Sequence, residues 1–500
     1  MPYVSEYEFV HDLLDGAARR NPTATALSDA SGDWTWADLE AASLRMARGL
    51  WQRGVRGGER VLTRMSNRKE LVALLYGASR VGAVLVPVTP EMKPFHLRSV
   101  LADTTPALVV TEGPHGDAIA ALTPAPVADV HDVWHDGGTA PAPPDGTGPR
   151  TAHDVALLIH TSGSTSVPKG VVCPHRQTVF AARSIDRVLR YRADDVVFLR
   201  LPLSFDYGLH QLFLAALSGA RVVLAEAGGD LTLLRRLRAA GATVVPVVPA
   251  LAQLLTHLAT RDPAPTAVRL FTNTGAALTE GSRTALRTAF PSARVALMFG
   301  TTECKRVSIL EPDGDLTRPG SVGRPIPGTA VDVVDEDGRP LPAGREGEFV
   351  VRGPHVMAGY WNAPELTERR FRKDPRTGET VLHTGDHGHL DEDGHLYFSG
   401  RRDDIVKHRG TRVSVLEIEA AALDVPGVRA AAVLALGEDA LTLCVVADTA
   451  GTVPVVEGLA ERLEPAKLPD RCLLFDELPL TPNGKTDYQR LSETVRETQQ

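Results

Sequence analysis

A loop rich in hydroxyl groups and glycine, TSGSTSVPKG, runs from Thr161 to Gly170. It follows the apolar run DVALLIH, which is typical of a buried strand, and it carries Lys169. Glycines let backbone N–H groups converge on an anion, and hydroxyl and ammonium groups add hydrogen bonds to phosphate oxygens. Lysine is rare here, with eight residues in 500, which strengthens the interpretation. The loop predicts a phosphate site, and a ligand-free surface loop is the alternative.

The surrounding elements alternate between short apolar strands and helical patterns over the first 400 residues. This alternation predicts an α/β fold with mostly parallel sheets covered by helices. Near residue 402 the pattern changes, because DEDGHLYFSGR is typical of a hairpin with an Asp-Gly turn and a new set of elements follows it. We expect a large N-terminal domain, residues 1–402, and a small α+β C-terminal domain, residues 403–500.

The composition is that of an ordinary globular protein, with 43% hydrophobic and 23% charged residues. The 62 acidic and 54 basic residues give a net charge of −8, which argues against a nucleic-acid partner. No apolar run approaches the roughly 18 residues of a membrane span, and the N-terminus lacks the pattern of a secretory signal. The four scattered cysteines suggest reduced thiols in a cytoplasmic protein, without zinc or disulfides.

Further motifs follow the loop along the chain: TNTGAAL, MFGTTE, HTGD, SGRRDDIVKHRGTRVSVLEIE and PLTPNGKTD. In this order and spacing, the chain resembles the adenylate-forming superfamily of acyl-CoA synthetases, peptide-synthetase adenylation domains and luciferases. The resemblance covers nearly the whole chain. One departure is Ser166, which stands where the family's phosphate loop has a glycine. The resemblance implies an AMP-forming ligase that uses ATP and Mg²⁺ to convert a carboxylic acid to an acyl-adenylate.

The resemblance also implies a role for each matching residue. Glu303 would bind Mg²⁺, an oxygen-seeking ion, and Lys485 would bridge the substrate carboxylate and the α-phosphate. Asp386 would accept hydrogen bonds from the ribose hydroxyls. With Lys485 and Glu303, the catalytic group includes Thr302 at the α-phosphate and Arg401. The remaining ATP-binding residues are Thr161, Ser162, Gly163, Ser164, Thr165, Lys169, Gly275, Ala276, Ala277, Phe299, Gly300, Thr301 and Arg412.

A second half-reaction in the family passes the acyl group to a phosphopantetheine thiol. The small domain is implied to be mobile and to swing about a hinge at Asp403 between the two steps. Lys407 and Gly410 would then approach the site, and Gly410 would line the pantetheine tunnel, where a side chain would block entry. The chain shows no carrier domain, so we expect a free-standing enzyme that loads CoA or, as we favour, a separate acyl carrier protein.

The acid pocket is less clearly marked. Asp206 matches the position at which amino-acid-activating members hold the substrate ammonium, although an aspartate capping the next helix is the alternative. Lys305 and Arg306 would suit a second carboxylate, or they would face pyrophosphate, an internal acid or solvent. An amino acid or β-amino acid, acidic if the two cations serve the substrate, is therefore the favoured substrate. Four further residues would complete the pocket wall: Tyr207, His210, Phe271 and Asn273.

Rival interpretations follow from the same motifs. A CoA ligase for an aryl, fatty or dicarboxylic acid would use the same ATP site. A luciferase-type oxidase is more remote. A catalytically inactive binding homologue would have lost one of the charged residues that the chain retains, namely Lys169, Glu303, Asp386, Arg401 and Lys485. Retention of all five favours an active enzyme, which in natural-product biosynthesis would supply a carrier protein.

Overall fold

The computed structural model of the chain describes residues 7–92, 94–113, 116–144, 146–161, 168–225, 228–374, 377–401, 405–408, 411–436, 440–448, 451–463, 467–481 and 485–497. Its helices are α1 Val10–Arg20, α2 Trp36–Gln52, α3 Lys69–Arg80, α4 Pro94–Thr104, α5 Gly116–Ala120, α6 Val130–Thr139, α7 His175–Leu189, α8 Asp206–Ser218, α9 Leu233–Ala239, α10 Pro249–Arg261, α11 Glu280–Ala289, α12 Pro364–Arg370, α13 Val415–Leu423, α14 Val453–Ala460 and α15 Tyr488–Glu497.

The strands of the first part of the chain are β1 Thr25–Asp29, β2 Gly32–Thr35, β3 Arg60–Arg64, β4 Val84–Val88, β5 Leu108–Thr111, β6 Val127–Asp129, β7 Val155–Thr161, β8 Lys169–Pro174, β9 Val196–Leu199, β10 Arg221–Leu224, β11 Val244–Val247, β12 Leu270–Asn273 and β13 Arg294–Phe299. Those that follow are β14 Ser308–Ile309, β15 Ser321–Pro325, β16 Ala330–Val334, β17 Gly347–Arg352, β18 Phe371–Lys373, β19 Thr380–Leu390, β20 Leu396–Arg401, β21 Ile405–His408, β22 Thr411–Ser414, β23 Val428–Ala435, β24 Leu441–Ala447 and β25 Arg471–Leu474.

One sheet has the strand order β6-β5-β3-β4-β7-β8. Its strands pair in parallel except for β8, which returns antiparallel to β7. The run VLVPV of β4 is buried along its whole length, as expected for a central parallel strand with both faces covered. The helix α2 that packs against α3 starts at a capping box between Thr35 and Asp38.

The larger sheet has the order β16-β17-β19-β20-β15-β14-β13-β12-β11-β9-β10-β1-β2. Strands β1, β10, β9, β11, β12 and β13 form a parallel half, and the antiparallel half begins where β14 pairs with β13. In open parallel sheets, ligands bind beyond the carboxyl ends of the strands. That edge carries the residues that follow β9, β12 and β13, which include Asp206, Gly275 and Glu303.

The C-terminal part has its own three-stranded sheet, β23-β24-β25, packed with α13, α14 and α15 around separate apolar clusters. The predicted class, an α/β fold with a large N-terminal and a small C-terminal domain, is therefore confirmed. The exact boundary at residues 402 and 403 stays a prediction, because residues 402–404 lie outside the described part. Within the described residues, no helix is long and apolar enough to cross a membrane.

Candidate active site

The phosphate loop is carried by the hairpin of β7 and β8. Thr161 pairs with Lys169 across the two strands, so both ends of the loop are fixed by the antiparallel ladder. Residues 162–167 lie outside the described residues, and with them the predictions for Ser162, Gly163, Ser164 and Thr165 and the departure at Ser166. Lys169 is half-buried at the start of β8. The structure thus places the two ends of the predicted phosphate loop at one strand edge.

Glu303 is connected to this hairpin by the segment that contains Tyr360 and Trp361. The N–H of Trp361 donates to the Gly170 carbonyl oxygen at 2.7 Å, and Tyr360 forms a bridge with Val171. The Tyr360 hydroxyl donates to Oε1 of Glu303 at 2.6 Å. The segment around Tyr360 therefore ties the half-buried Glu303 carboxylate to the phosphate hairpin. A carboxylate oxygen beside a phosphate loop is a suitable ligand for Mg²⁺ bridging polyphosphate.

The predicted ribose residue Asp386 is 1% exposed and lies on β19 opposite Arg401 on β20. Before it, Gly385 adopts φ +72°, a left-handed conformation that favours glycine. Oε1 of Glu348 accepts the Gly385 N–H at 2.8 Å, while Nδ1 of His383 lies 3.0 Å from Oε2. Glu348 thus supports the turn that presents Asp386, a role that the sequence did not reveal.

The segment predicted to contact adenine follows β12 as Gly275, Ala276 and Ala277. A Cβ on Gly275 would lie 3.2 Å from Cζ of Phe205 and 3.6 Å from Cε of Lys485. Nζ of Lys485 is 5.9 Å from the centroid of the Phe205 ring. The structure therefore brings Lys485 of the C-terminal domain to the carboxyl edge of the large sheet, although Lys485 lies 210 positions after Gly275 in the chain.

Four more predicted ATP residues follow or end β13. The Phe299 ring lies among aromatic rings, 5.0 Å from that of Phe398 and 5.9 Å from that of Phe349. Thr301 and Thr302 are half-buried beside it. A Cβ on Gly300 would lie 2.8 Å from both the Lys305 carbonyl oxygen and Cα of Arg306. Only glycine therefore allows the turn at 304–306 to approach this closely.

The hinge and thiol residues are only partly described. Lys407 of β21 pairs with Arg412 of β22 in a short antiparallel hairpin. For these two residues and for Arg401 the description is limited to the backbone. Asp403 and Gly410 lie outside the described residues, so their roles stay predictions.

In the acid pocket, Asp206 is the first residue of α8 and is 5% exposed. Phe205 is the N-cap of this helix, and no side-chain capping hydrogen bond is present there. Instead, Oδ1 of Asp206 accepts a hydrogen bond from Nζ of Lys305 at 2.7 Å. Asp206 therefore forms a buried ion pair rather than a helix cap.

Lys305 is one of the most buried charged residues, with its side chain fully enclosed. Its Nζ also donates to Sγ of Cys173 at 3.1 Å, and its backbone adopts φ +64°, which is uncommon for a side-chain-bearing residue. Of the four environments weighed from the sequence, Lys305 occupies that of an internal acid. The contact with Cys173 was not foreseen, because Cys173 lies 132 positions away.

Arg306, which is 4% exposed, has no carboxylate partner among the residues that the structure describes. Its Nη1 donates to the Lys305 carbonyl oxygen at 2.7 Å and to Oγ1 of Thr274 at 3.4 Å. Its guanidinium carbon lies 5.5 Å from the centroid of the Tyr207 ring. Nε is buried without a hydrogen-bond partner. The hydrogen bonds of Arg306 thus all go to neutral groups. Burial lowers the pKa of its guanidinium, while the nearby Asp206 carboxylate favours the charged form. Such a buried cation is costly unless an anion binds there.

The other predicted wall residues divide into two groups. Tyr207 and His210 contact the charged residues Arg306 and Asp206. The Tyr207 ring faces Arg306, and its hydroxyl donates to the Thr272 carbonyl oxygen at 2.6 Å. Nδ1 of His210 lies 3.1 Å from the Asp206 carbonyl oxygen. Phe271 instead packs its ring 5.0 Å from that of Phe290. Nδ2 of Asn273 donates to the Val247 carbonyl oxygen at 3.1 Å. Phe271 and Asn273 therefore contact neighbouring elements of the core, which does not favour a role in the wall.

The charges of the pocket are set by these contacts. Burial disfavours the Asp206 carboxylate, but the Lys305 ammonium prevails and lowers the pKa of Asp206. Burial equally disfavours the ammonium, yet Asp206 raises the pKa of Lys305. Burial lowers the pKa of His210 to about 4, so this imidazole is neutral at physiological pH. The charges of Asp206 and Lys305 balance, so the positive charge of Arg306 is the excess within this buried group of three residues.

Comparison with known proteins agrees with this geometry. Residues 14–361 match the model of the AMP-binding enzyme family, and residues 417–485 match its AMP-binding enzyme C-terminal domain. The chain therefore belongs to the AMP-binding enzyme family of adenylate-forming, AMP-forming ligases.

Among curated relatives, L-proline–[L-prolyl-carrier protein] ligase of Streptomyces coelicolor is 32% identical, with 91% of each chain covered. Phosphinothricin tripeptide synthetase PhsC of Streptomyces viridochromogenes is 30% identical over 98% of this chain. The present chain spans only 45% of the length of PhsC and 8% of the length of tyrocidine synthase 3 of Brevibacillus parabrevis, which is also 30% identical over 96% of this chain.

Two solved structures are informative. The complex of VinN with L-aspartate is 46% identical, covers 78% of this chain and 98% of VinN, and has a TM-score of 0.71. ATP-bound MatB from Rhodopseudomonas palustris is 28% identical, covers 97% of this chain and 100% of MatB, and has a TM-score of 0.85. The second likeness supports ATP as the nucleotide of this chain.

Proposed function

We propose that this protein activates an acidic amino acid of about the size of aspartate and transfers it to the phosphopantetheine thiol of a carrier protein. The observation that carries the substrate class is Arg306, a buried guanidinium whose hydrogen bonds all go to neutral groups. A substrate carboxylate would give it the anionic partner that the described residues do not supply. The likeness to VinN, whose complex contains L-aspartate, supports the same class.

Asp206 is assigned to the substrate ammonium. The contacts that it makes with Lys305 and His210 both involve Oδ1, which leaves Oδ2 as the acceptor for an amino group. In this arrangement the ammonium binds at Asp206 and the second carboxylate at Arg306. The carboxylate to be activated is the remaining one, directed toward Lys485 beside Gly275.

The chemistry then follows from charge. An oxygen of the free substrate carboxylate attacks the α-phosphorus of ATP, the bond to the bridging oxygen breaks, and pyrophosphate leaves. Two anions approach one another, so the residues serve to position and neutralise them. Lys485 bridges the carboxylate and the α-phosphate, Asp386 holds the ribose, and Glu303 is the residue that would hold Mg²⁺. Mg²⁺, when bound, offsets the charge of the leaving pyrophosphate.

The substrate class is tested by ATP–pyrophosphate exchange with L-aspartate, 3-methylaspartate, L-glutamate, L-asparagine, β-alanine, succinate, L-proline and octanoate. We expect the highest kcat/KM for an acidic amino acid. Asparagine and β-alanine, each of which lacks one of the two carboxylates of aspartate, should both be at least about 100-fold poorer. Equal use of aspartate and asparagine, or a preference for octanoate or proline, would overturn the proposal. Trapping the adenylate with hydroxylamine identifies which carboxylate is activated.

A dicarboxylic-acid CoA ligase is the second candidate, because Arg306 also suits a diacid that lacks an amino group. Succinate in the panel distinguishes this case. Incubation with CoA and with a phosphopantetheinylated carrier protein, followed by mass spectrometry, identifies the thiol acceptor. The variant Asp403→Pro should retain pyrophosphate exchange and lose thioester formation. Equal loss of both half-reactions would count against a hinge at this residue.

A further inference from the structure

Cys173 contacts the acid pocket from an element that otherwise serves ATP. It lies on β8, four residues after Lys169, and its side chain is fully buried. Its Sγ is 3.1 Å from Nζ of Lys305, which also donates to Oδ1 of Asp206 at 2.7 Å. A lysine ammonium has three N–H donors, and a buried ammonium needs acceptors for them. Cys173 supplies one acceptor and Asp206 another.

The charge of that acceptor matters as much as its position. Burial raises the pKa of the Cys173 thiol, so the sulfur keeps its proton. The S–H donates to the Val171 carbonyl oxygen at 3.3 Å, and the sulfur lone pairs remain for the ammonium. A neutral acceptor holds Lys305 without adding a negative charge. A carboxylate in its place would cancel the positive charge that Arg306 gives the pocket.

We propose that Cys173 is a specificity-determining positioning residue, whose neutral thiol holds the Lys305 ammonium against Asp206 and so keeps the positive charge of Arg306 for the substrate's second carboxylate. This inference rests on the proposed function. Lys305 and Arg306 are adjacent, and the Lys305 carbonyl oxygen accepts from Nη1 of Arg306 at 2.7 Å. Asp206 also attracts Arg306, so an Asp206 carboxylate that Lys305 no longer neutralises would offset the guanidinium charge.

The test compares Cys173→Ala and Cys173→Val, which lack the acceptor, with Cys173→Ser, which keeps a neutral one. Valine preserves most of the volume, so this variant separates loss of the acceptor from formation of a cavity. Cys444→Ala is the matched control, because Cys444 is fully buried on β24 of the C-terminal domain. Pyrophosphate exchange gives kcat and KM for L-aspartate, L-asparagine and ATP, and a thermal unfolding scan checks that each variant is folded.

We expect the alanine and valine variants to lose about tenfold of the preference for aspartate over asparagine, mainly through KM for aspartate, as for one charge-assisted hydrogen bond. The KM for ATP should stay within about twofold of the wild-type value, and the serine variant should retain most of the preference. If only the valine and serine variants fold, their comparison alone decides the question.

Unchanged preference in the variants without the acceptor would overturn the role of Cys173, as would equal losses in the serine, alanine and valine variants. Either result leaves the proposed function intact if the wild-type enzyme still prefers aspartate. A wild-type enzyme that does not exchange with any acidic amino acid overturns the substrate class itself. The two failures are therefore distinguishable in one data set.

Discussion

The ATP side and the acid side of the site are built in different ways. On the ATP side, Glu303, Lys169 and Lys485 come from three distant segments and remain partly or largely exposed. On the acid side, Asp206, Lys305 and Arg306 are buried, and two of them neutralise each other. Under the proposed function, the ATP side would bind a ligand that brings most of the charge, whereas the acid side would present a fixed charge pattern that a substrate must match.

Removal of the Lys485 ammonium should have the largest effect, because both anions depend on it. Lys485→Ala should slow pyrophosphate exchange by about 10³-fold or more for every acid that the enzyme accepts. Binding of ATP, measured by calorimetry, should change little. The control is Lys373→Ala, since Lys373 is exposed on β18 and its Nζ donates to Thr380. Exchange at the wild-type rate would contradict the assignment of Lys485.

Replacement of Arg306 should raise KM only for acidic substrates, which would separate the acid side from the ATP side. Arg306→Met keeps much of the side-chain volume and should raise KM for aspartate about 100-fold, while KM for ATP stays near the wild-type value. Arg306→Lys should restore part of the loss, because it keeps the charge but not the planar fork. A rise in KM for ATP of the same size would place Arg306 on the ATP side instead.

The ion pair of the acid side should be visible in stability. Asp206→Asn leaves the buried Lys305 ammonium without a counter-charge and should lower the free energy of unfolding by about 3–5 kcal/mol. The double variant Asp206→Asn with Lys305→Met should recover much of this loss, because the stranded charge is then removed. Urea unfolding of the wild-type protein, both single variants and the double variant measures the coupling. Additive losses would show that the pair does not act as a unit.

Low pH should lower the free energy of unfolding through His210, and we expect this effect to be the smallest of the four. The folded-state pKa of His210 is about 4, below its ordinary value of 6.5, because burial disfavours the imidazolium. Its contribution to stability is therefore fully present above pH 6.5 and is lost as the pH falls toward 4.

The variant His210→Asn removes this titration and should reduce the slope of stability with pH by about 1.4 kcal/mol per pH unit within that window. His257→Asn is the control, because His257 is exposed on α10. An unchanged slope in His210→Asn, with the same urea dependence as the wild-type protein, would show that this histidine does not take part in acid unfolding.

The candidate residues of the ATP side were easier to recognise in the sequence than the contacts of the acid side, for a physical reason. Glu303, Asp386 and Lys485 follow motifs that are local in the chain, so short stretches of residues reveal them. The ion pair of Asp206 with Lys305 joins residues 99 positions apart, and the hydrogen bond of Lys305 to Cys173 joins residues 132 apart. Neither separation leaves a local pattern, so these contacts became visible only in the folded chain.

Two further residues were underestimated for the same reason. Tyr360 and Glu348 were not among the predicted site residues, but their oxygens contact Glu303 and Gly385 across strands. Phe271 was expected to complete the wall of the acid pocket. Alternation along a strand directs neighbouring side chains to opposite faces, which accounts for its contact with Phe290 while the Thr272 side chain contacts Tyr207. The fold class, by contrast, depends on periodicity along the chain and was predictable.

The tight turn at Gly300 has a consequence for enzyme engineering. A side chain at Gly300 would collide with the backbone of residues 305 and 306, so the path of that backbone is fixed. New substrate ranges must therefore come from exchanging side chains on an unaltered turn. In a library that varies Asp206, Lys305 and Arg306 one at a time, most variants would contain a buried charge that has lost its partner. Varying the three positions together, with Gly300 held constant, samples balanced pockets and should yield far more folded variants.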